Sequence, residues 1–518
     1  MALDDSIDLV THILAFVEPS NLPHLLSTSR TFHEVGRPLL QASVFFSASR
    51  MHCSFALKEH ASVPTRVDIL RDGSCAVLFS AIDGNGQLEI FKSSGIVDVK
   101  DVPPNRAIAA FAETTAEVEG RIVAVVVSRD AGEEDQQANE ETPLEYGAEL
   151  HIWDKDESQP STKKPLGHSE FICGEDPLAL STTATPTIFK SRATHIERSN
   201  DSGDGYLRTL VHNPSLAADK SALLAAFSLS SGELLPSHCR LISWSDEENI
   251  SPPQQSPNAA ASGEAPNRHR FGGVACASVF IRPSSAASNS DEYTSAVIAT
   301  GHNRDADGIA RARLWDARTG AVLGTFDGPQ LPVKGFSTAG VTRVAVSGHF
   351  YCFASVDGNV RLYRRPSSEA SEGAQMHGGT EPVAILSPAG VLSPEVAGES
   401  GGGGSSRGNA PKVESIALEG NFLIAAFSCG KRYAREAKVV LFRLDSNTEH
   451  PAVMCGVFPL QEALKDHKGM IKVNSIGSNL EHSGKVILAC SYTKDGSSDD
   501  ASVGLTLTFD FLAAAPST

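Results

Sequence analysis

Cysteine is scarce and unpatterned in this 518-residue chain: there are nine, and no Cys-x-x-Cys pair occurs. That excludes a disulfide framework and the common zinc-binding spacings. Positive charge is in deficit, with 44 Lys and Arg against 62 Asp and Glu and a net charge of −18. Such a balance excludes a sequence-independent grip on nucleic acid or on an anionic membrane surface. No apolar run approaches the roughly eighteen residues of a membrane helix, and no secretory leader pattern follows Met1. The expectation is a cytoplasmic or nuclear protein that meets no membrane.

Catalytic signatures are also missing. Residues 401–404 are four glycines, but Ser405-Ser406 follows and not Gly-Lys-Ser/Thr, so no phosphate cradle forms. No Gly-x-Ser-x-Gly elbow precedes a helix. The 17 histidines are scattered; His212, His238, His302 and His349 fall at the ends of expected strands. Hydrogen-bonded surface roles are expected there in preference to metal ligation. The residues point to a protein that is no enzyme and binds neither cofactor nor metal.

What is present is a repeated pair of strands. The apolar run 296–301 is short, β-branched and bounded by turn formers, and Arg311-Ala-Arg-Leu-Trp-Asp316 after it alternates. The same pairing recurs at 75–80 with 88–91, 122–127 with 149–154, and 222–229 with 240–244. It appears again at 351–356 with 360–363, 422–427 with 439–442, and 486–490 with 504–509, making seven copies. Further β-patterned runs precede the pairs, as at 66–70, 274–281, 341–346, 413–418 and 471–476. One such sheet cannot bury both of its faces alone, whereas radial stacking of several can.

The rhythm resembles the WD-repeat β-propeller over roughly residues 60–511, with a large β-sandwich as the other reading. Trp153-Asp154 and Trp315-Asp316 carry the signature dipeptide. Trp244-Ser245, Tyr363-Arg364 and Phe442-Arg443 depart from it, and Asp466–Ile471 is the nearest match to the Gly-His element. Asp83 and Asp357, each before a glycine, resemble the aspartates that tie WD-repeat turns to backbone amides. Because 504–509 lies near the last residue, an N-terminal segment, 43–46 or 53–57, is expected to complete the final sheet.

The first forty residues differ from everything after them. Leu9, Val10, Ile13, Leu14 and Val17 follow helical spacing, and Pro19-Ser20-Asn21 stops that helix and caps a second. Leu22, Leu25 and Leu26 line the second helix, and Phe32 and Val35 suggest a third. The pattern Ile13-Leu14-x-x-Val17-x-Pro19, then Leu22-x-x-Leu25-x-x-x-Ser29-Arg30-x-Phe32, with Arg37-Pro-Leu-Leu40, resembles an F-box. The Leu-Pro pair that usually opens the motif is replaced here by Asp5-Ser6.

This resemblance implies a substrate-recognition adaptor of a Skp–cullin–F-box ubiquitin ligase. Leu9, Val10, Ile13, Leu14, Leu22, Leu25 and Phe32 would meet the Skp-type adaptor, and the cullin would follow. A propeller would hold an unidentified protein substrate, so that proximity replaces chemistry. The alternative is a non-enzymatic WD-repeat scaffold for complex assembly whose N-terminal helices pack on the blades. WD-repeat F-box proteins often read phosphorylated segments with arginines, whose fork matches phosphate. That makes Arg66, Arg106, Arg343 and Arg361 the candidates, against a reading as ordinary surface charges.

The expected organisation is a small three-helix F-box-like domain over 1–41, a linker over 42–62, and a seven-bladed propeller over 63–512. Flexible insertions are expected at about 130–147, 246–268 and 366–410. The first is strongly acidic, and the others are rich in Ser, Pro, Gly and Ala.

Overall fold

The computed structural model describes residues 54–70, 72–79, 86–92, 95–103, 106–113, 121–128, 148–154, 156–166, 195–198, 205–211, 221–228, 240–243, 274–281, 296–304, 308–316, 322–330, 340–347, 349–364, 381–388, 391–392, 411–429, 436–444, 452–464, 469–480, 483–494 and 502–511. The F-box-like segment 1–41 and the expected insertions 130–147 and 246–268 lie outside these residues. The described residues are almost entirely strand, with one helical turn at Leu460–Ala463.

The chain divides into two compact units. In the first, β2 (Pro64–Ile69), β3 (Cys75–Phe79), β4 (Leu88–Phe91) and β5 (Val97–Lys100) make a four-stranded sheet in chain order. So do β22 (Pro411–Glu419), β23 (Phe422–Cys429), β24 (Glu436–Leu444) and β25 (Ala452–Pro459). The third sheet joins both ends of the sequence: β1 (Ser54–His60) lies outside β28 (Ser502–Asp510), followed by β27 (Lys485–Lys494) and β26 (Gly469–Asn479).

The second unit holds four sheets of four strands each. They comprise β6 (Arg106–Glu113) to β9 (Thr162–Leu166), β10 (His195–Arg198) to β13 (Arg240–Ser243), β14 (Val274–Ile281) to β17 (Val322–Gln330), and β18 (Val341–Val346) to β21 (Ala384–Leu386). Between the outer members run β7 (Arg121–Ser128), β8 (Ala148–Asp154), β11 (Gly205–Val211), β12 (Ser221–Ser228), β15 (Ala296–His302), β16 (Ile309–Asp316), β19 (Phe350–Ser355) and β20 (Val360–Arg364).

The seven strand pairs read from the sequence all appear as hydrogen-bonded neighbours, β15 against β16 among them. In six sheets the pair supplies the second and third strands. In the sheet of β10–β13 it supplies the third and fourth, because two strands precede it there. Residues 384–386 correct another expectation: they fall inside the stretch 366–410 read as an insertion, yet form the outer strand of their sheet. Leu392, a few residues on, is buried, and Lys438 Nζ donates to the Val391 carbonyl at 2.8 Å.

Second strands are buried on both faces, β19 and β23 along their whole length. This is why they read as continuous apolar runs. Phe422, Ile424, Leu441 and Phe458 of one sheet pack with Ile471, Leu488, Leu505 and Phe509 of the next. Val67, Ile69, Val77 and Phe79 pack likewise on Ile487 and Ala489. In the second unit, Val297, Leu314 and Phe326 meet Val344, Tyr351 and Phe353. Each such side chain contributes about 1.5–3 kcal/mol by leaving water.

A structural repeat accompanies the sequence repeat. The first strand of six sheets carries a one-residue bulge, at 65, 109, 275, 342, 414 and 474. Where side chains are described, the extra residue bonds across to the second strand. Thr65 Oγ1 donates to Leu78 O at 3.2 Å and Thr342 Oγ1 to Ala354 O at 3.3 Å. Asn474 Nδ2 donates to Ser491 Oγ at 2.7 Å and to Pro64 O of the neighbouring sheet at 2.9 Å. Glu414 Oε1 accepts from Ser428 Oγ at 2.7 Å.

Of the two segments expected to complete the last sheet, the second does so: β1 pairs antiparallel with β28 from Ser54 opposite Asp510 to His60 opposite Gly504. Residues 54–60 are thus a strand, although 42–62 reads as a linker. The physical reason is that β28 would otherwise leave an open edge. Gly504 is required there, since a Cβ on it would collide with the Ser62 carbonyl where the chain turns from β1 into β2. His60 fastens the end of β1. Its Nε2 lies 2.9 Å from Thr506 Oγ1, and its ring packs on Phe79 at 5.1 Å and Phe91 at 5.5 Å. Lys58 Nζ sits 3.5 Å from the Phe91 ring centre.

Burial, and secondarily the Lys58 ammonium, pull the His60 imidazole down from 6.5 to about 4. The unfolded chain therefore takes a proton near pH 6.5 that the folded chain refuses until about pH 4. Stability from the neutral ring is complete above the higher value, declines through that window as pH falls, and then levels. Since the ring is partly solvent-exposed, the loss is held to about 1–2 kcal/mol. Thermal melts at pH 7 and pH 4.5 check this, the variant His60→Gln being expected to lose less on acidification than the parent.

Candidate functional site

The candidate adaptor-binding residues Leu9, Val10, Ile13, Leu14, Leu22, Leu25 and Phe32 lie outside the described residues. The four candidate arginines are on first or third strands. Arg106 stands opposite Ser128 at the start of β6, and its side chain is not described. Arg66, in the first unit, reaches Asp68 at 3.7 Å. Arg343 is half-buried; its Nη1 donates to the Thr342 carbonyl at 2.7 Å, while its Nε is buried with no hydrogen-bond partner among the described residues. Arg361 is buried and held by Asp357.

Arg343 and Arg361 share a sheet without sharing a face. Arg343 stands opposite Ala354 and Arg361 opposite Phe353, and those two neighbours on β19 point to opposite sides. The expected arginine pair in this sheet therefore does not converge on one phosphate.

Arg361 serves the turn after β19. Its Nη2 meets Asp357 Oδ2 at 2.7 Å, while its Nη1 meets Oδ1 at 3.2 Å and Ser355 Oγ at 2.8 Å. Asp357 also accepts from the Asn359 amide at 3.2 Å and from Asn359 Nδ2 at 2.8 Å. Burial works to raise the Asp357 pKa, but the hydrogen bonds from Arg361, Ser355 and Asn359 prevail and hold it below the ordinary carboxylate value. Gly358, at φ +81°, supplies the left-handed residue the turn needs. Asp357 is thus a turn-building residue, as its resemblance implies; Asp83 lies outside the described residues.

A second buried network joins Trp315 to the end of the apolar run before it. Trp315 Nε1 donates to Thr300 Oγ1 at 2.8 Å, and that hydroxyl lies 2.8 Å from His302 Nε2. Thr300 and His302 are both buried, which corrects the surface role expected for His302. The signal was available as Thr-x-His closing the apolar run that precedes Trp315. Trp315 pairs with Ile298, two residues before Thr300; in the sheet of β6–β9, Trp153 pairs with Ile122, and Ala124 takes the corresponding place. Trp153 Nε1 accordingly is buried with no hydrogen-bond partner among the described residues. Thr300→Val, which keeps shape and removes the hydroxyl, is expected to cost about 1–3 kcal/mol by stranding the indole N–H. Thermal or urea unfolding of the variant reads this directly.

The described cysteines are not activated. Burial pushes the Cys352 thiol up to about 12 and raises those of Cys75, Cys455 and Cys490, so each stays a protonated, weakly nucleophilic thiol at neutral pH. Among the described residues, no three His, Cys, Asp or Glu side chains gather as a metal site, and no helix is long and apolar enough to cross a membrane. Among the described residues, the exposed large apolar side chains are Ile96, Val97, Val322, Val356, Ile385, Val453, Met454 and Val503, most of them on or beside outer strands.

No family model matches the chain, and no curated protein matches it. Among solved structures it is similar to the Dos1 propeller, at 10% identity and TM-score 0.42, over 87% of this chain and 78% of that one. It is also similar to the Cps50 (Swd1) β-propeller domain of Myceliophteria thermophila, at 7% identity and TM-score 0.40, over 88% and 98% of the two chains. A chain of a mitotic checkpoint complex is similar at 9% identity and TM-score 0.40, over 88% and 92%. At these scores the likenesses add nothing to the sheet topology.

Proposed function

We propose that the seven sheets are blades of a seven-bladed propeller and that the protein is a substrate-recognition adaptor of a Skp–cullin–F-box ubiquitin ligase. The observation that carries this is the pairing of β1 with β28. It completes that four-stranded sheet from Ser54 onward, and the Leu9–Phe32 pattern that resembles an F-box precedes this strand in the sequence.

In this reading Leu9, Val10, Ile13, Leu14, Leu22, Leu25 and Phe32 receive the Skp-type adaptor, and the cullin follows. The sheets hold a protein substrate in the cytoplasm or nucleus, close to a separate conjugating enzyme, and effective concentration performs the catalysis. Of the candidate arginines in this sheet, Arg343 is favoured for substrate contact over Arg361, which is held by Asp357. The second reading is a non-enzymatic scaffold, which the apolar outer strands would also serve. Affinity purification of the tagged full chain with mass spectrometry separates the two. A Skp-type adaptor and a cullin should co-purify; other proteins without either would favour the scaffold.

A further inference from the structure

We infer that β1 is a strap that opens by itself. It leaves β28 and returns while the other three strands of its sheet stay folded, and Lys58 and His60 set how often it does so. The inference does not depend on what the protein binds.

Topology singles this strand out. In the other six sheets the chain order is the strand order, so each outermost strand follows its neighbour in the sequence. β1 instead pairs with β28 from the far end of the described sequence, and its short connection, residues 61–63, runs to β2 of another sheet. It can therefore detach without breaking up a hairpin. What it leaves behind keeps its own core: Ile471, Val473, Leu488, Leu505, Leu507 and Phe509 are buried among β26–β28 and against the neighbouring sheet.

Little apolar surface resists the opening. Of the β1 side chains described, those of residues 56–60, none is buried: Ala56, Lys58 and Glu59 are exposed, and Leu57 and His60 are half-buried. Leu57 packs, partly buried, against the apolar cluster beneath. The outer strands β5, β17 and β25, by contrast, bury Lys100, Phe326 and Phe458. Local opening is governed by the few contacts it breaks, so β1 opens far more often than the whole sheet unfolds.

The side-chain contacts that hold it sit toward one end. Lys58 and His60, two residues apart, share a face of the strand. Lys58 Nζ lies 3.5 Å from the centre of the Phe91 ring, and the His60 ring stands 5.5 Å from that ring and 5.1 Å from Phe79. Phe79 and Phe91 belong to β3 and β4, so the strap is fastened to the neighbouring sheet as well as to its own. In its own sheet His60 Nε2 meets Thr506 Oγ1 at 2.9 Å. While the strap is open, β28 has a bare edge in which Asp510 is the only charge, a place where another strand can add. Among the described residues, the first one held in a sheet then moves from Ser54 to Pro64.

Hydrogen–deuterium exchange of the full chain, across a urea series below the unfolding transition, tests this at the β1 amides bonded to β28. In the parent these should exchange more slowly than unprotected amides, yet roughly a hundredfold faster than the β26–β27 ladder and with almost no dependence on urea. Lys58→Gln should speed them about two- to fivefold, the loss expected for an exposed cation–π contact, whereas Lys58→Arg, which keeps the cation, should not. His60→Ala should speed them further. Exchange of β1 at the rate and urea dependence of the β26–β27 ladder would overturn the inference, because the strand would then open only with the whole sheet. Complete exchange of β1 at the first time point in the parent would overturn it as well, since no strap would be closed. Unchanged exchange in both Lys58→Gln and His60→Ala would overturn the assignment of the fastening to these two side chains.

Discussion

Asp357→Ala is expected to destabilise the sheet of β18–β21 by about 3–5 kcal/mol, a large share of what holds a typical domain folded. The carboxylate receives Arg361 through both of its oxygens, at 2.7 and 3.2 Å, in a pair whose side chains are 11% and 16% exposed. Removing it leaves a buried guanidinium with Ser355 Oγ at 2.8 Å and no counter-charge. The Asn359 amide and side chain lose their acceptor in the same step. Asp357→Asn, which keeps an oxygen for the turn and loses the charge, should cost about half as much. Adding Arg361→Met to Asp357→Ala should recover most of the loss, because the stranded charge goes with it. The carboxyl is held below its ordinary value of 3.8, so its contribution is present above that pH and disappears as pH falls through the folded value. Asp357→Asn should therefore flatten the acid limb of the stability curve below about pH 4. Unchanged unfolding of Asp357→Ala would mean that the pair is an ordinary surface contact.

Particular residues explain how much of this was legible in the sequence. Second strands such as Phe350–Ser355 and Phe422–Cys429 are readable because both of their faces are buried, so they show as apolar runs. Outer strands are not readable. Thr162–Leu166, with two lysines, and Ala384–Leu386, set in a stretch rich in Ser and Gly, face water on one side and need little apolar pattern. The recurrent bulge is invisible for another reason. It is a backbone register shift whose extra residue can be Thr65, Glu414 or Asn474, and each meets the second strand by a different bond. Arg361 was visible as a charge, but not its partner: only the turn at Gly358 folds Asp357 back onto a residue four positions later. The F-box resemblance rests on sequence alone.

Leu14→Asp is expected to abolish recovery of a Skp-type adaptor while leaving the melting temperature of the sheets unchanged. If Leu9, Val10, Ile13, Leu14 and Leu25 form a binding face, that face must stay open in the free protein, and an apolar patch of this kind normally marks an interaction site. Burying one leucine contributes about 1.5–3 kcal/mol. An aspartate in its place also brings a carboxylate into the contact without a partner, so the combined penalty exceeds about 4 kcal/mol. A penalty of that size is roughly a thousandfold in Kd, enough to empty the complex at cellular concentrations. The scaffold reading makes the opposite forecast. There the same side chains already pack on the sheets, so the substitution opens the core to a charge, lowers the melting temperature and costs no partner. Pull-down of parent and variant, paired with thermal melts of both, distinguishes the two outcomes. A clear fall in stability, with no adaptor bound to the parent, would make the N-terminal helices a structural cap and the protein a scaffold.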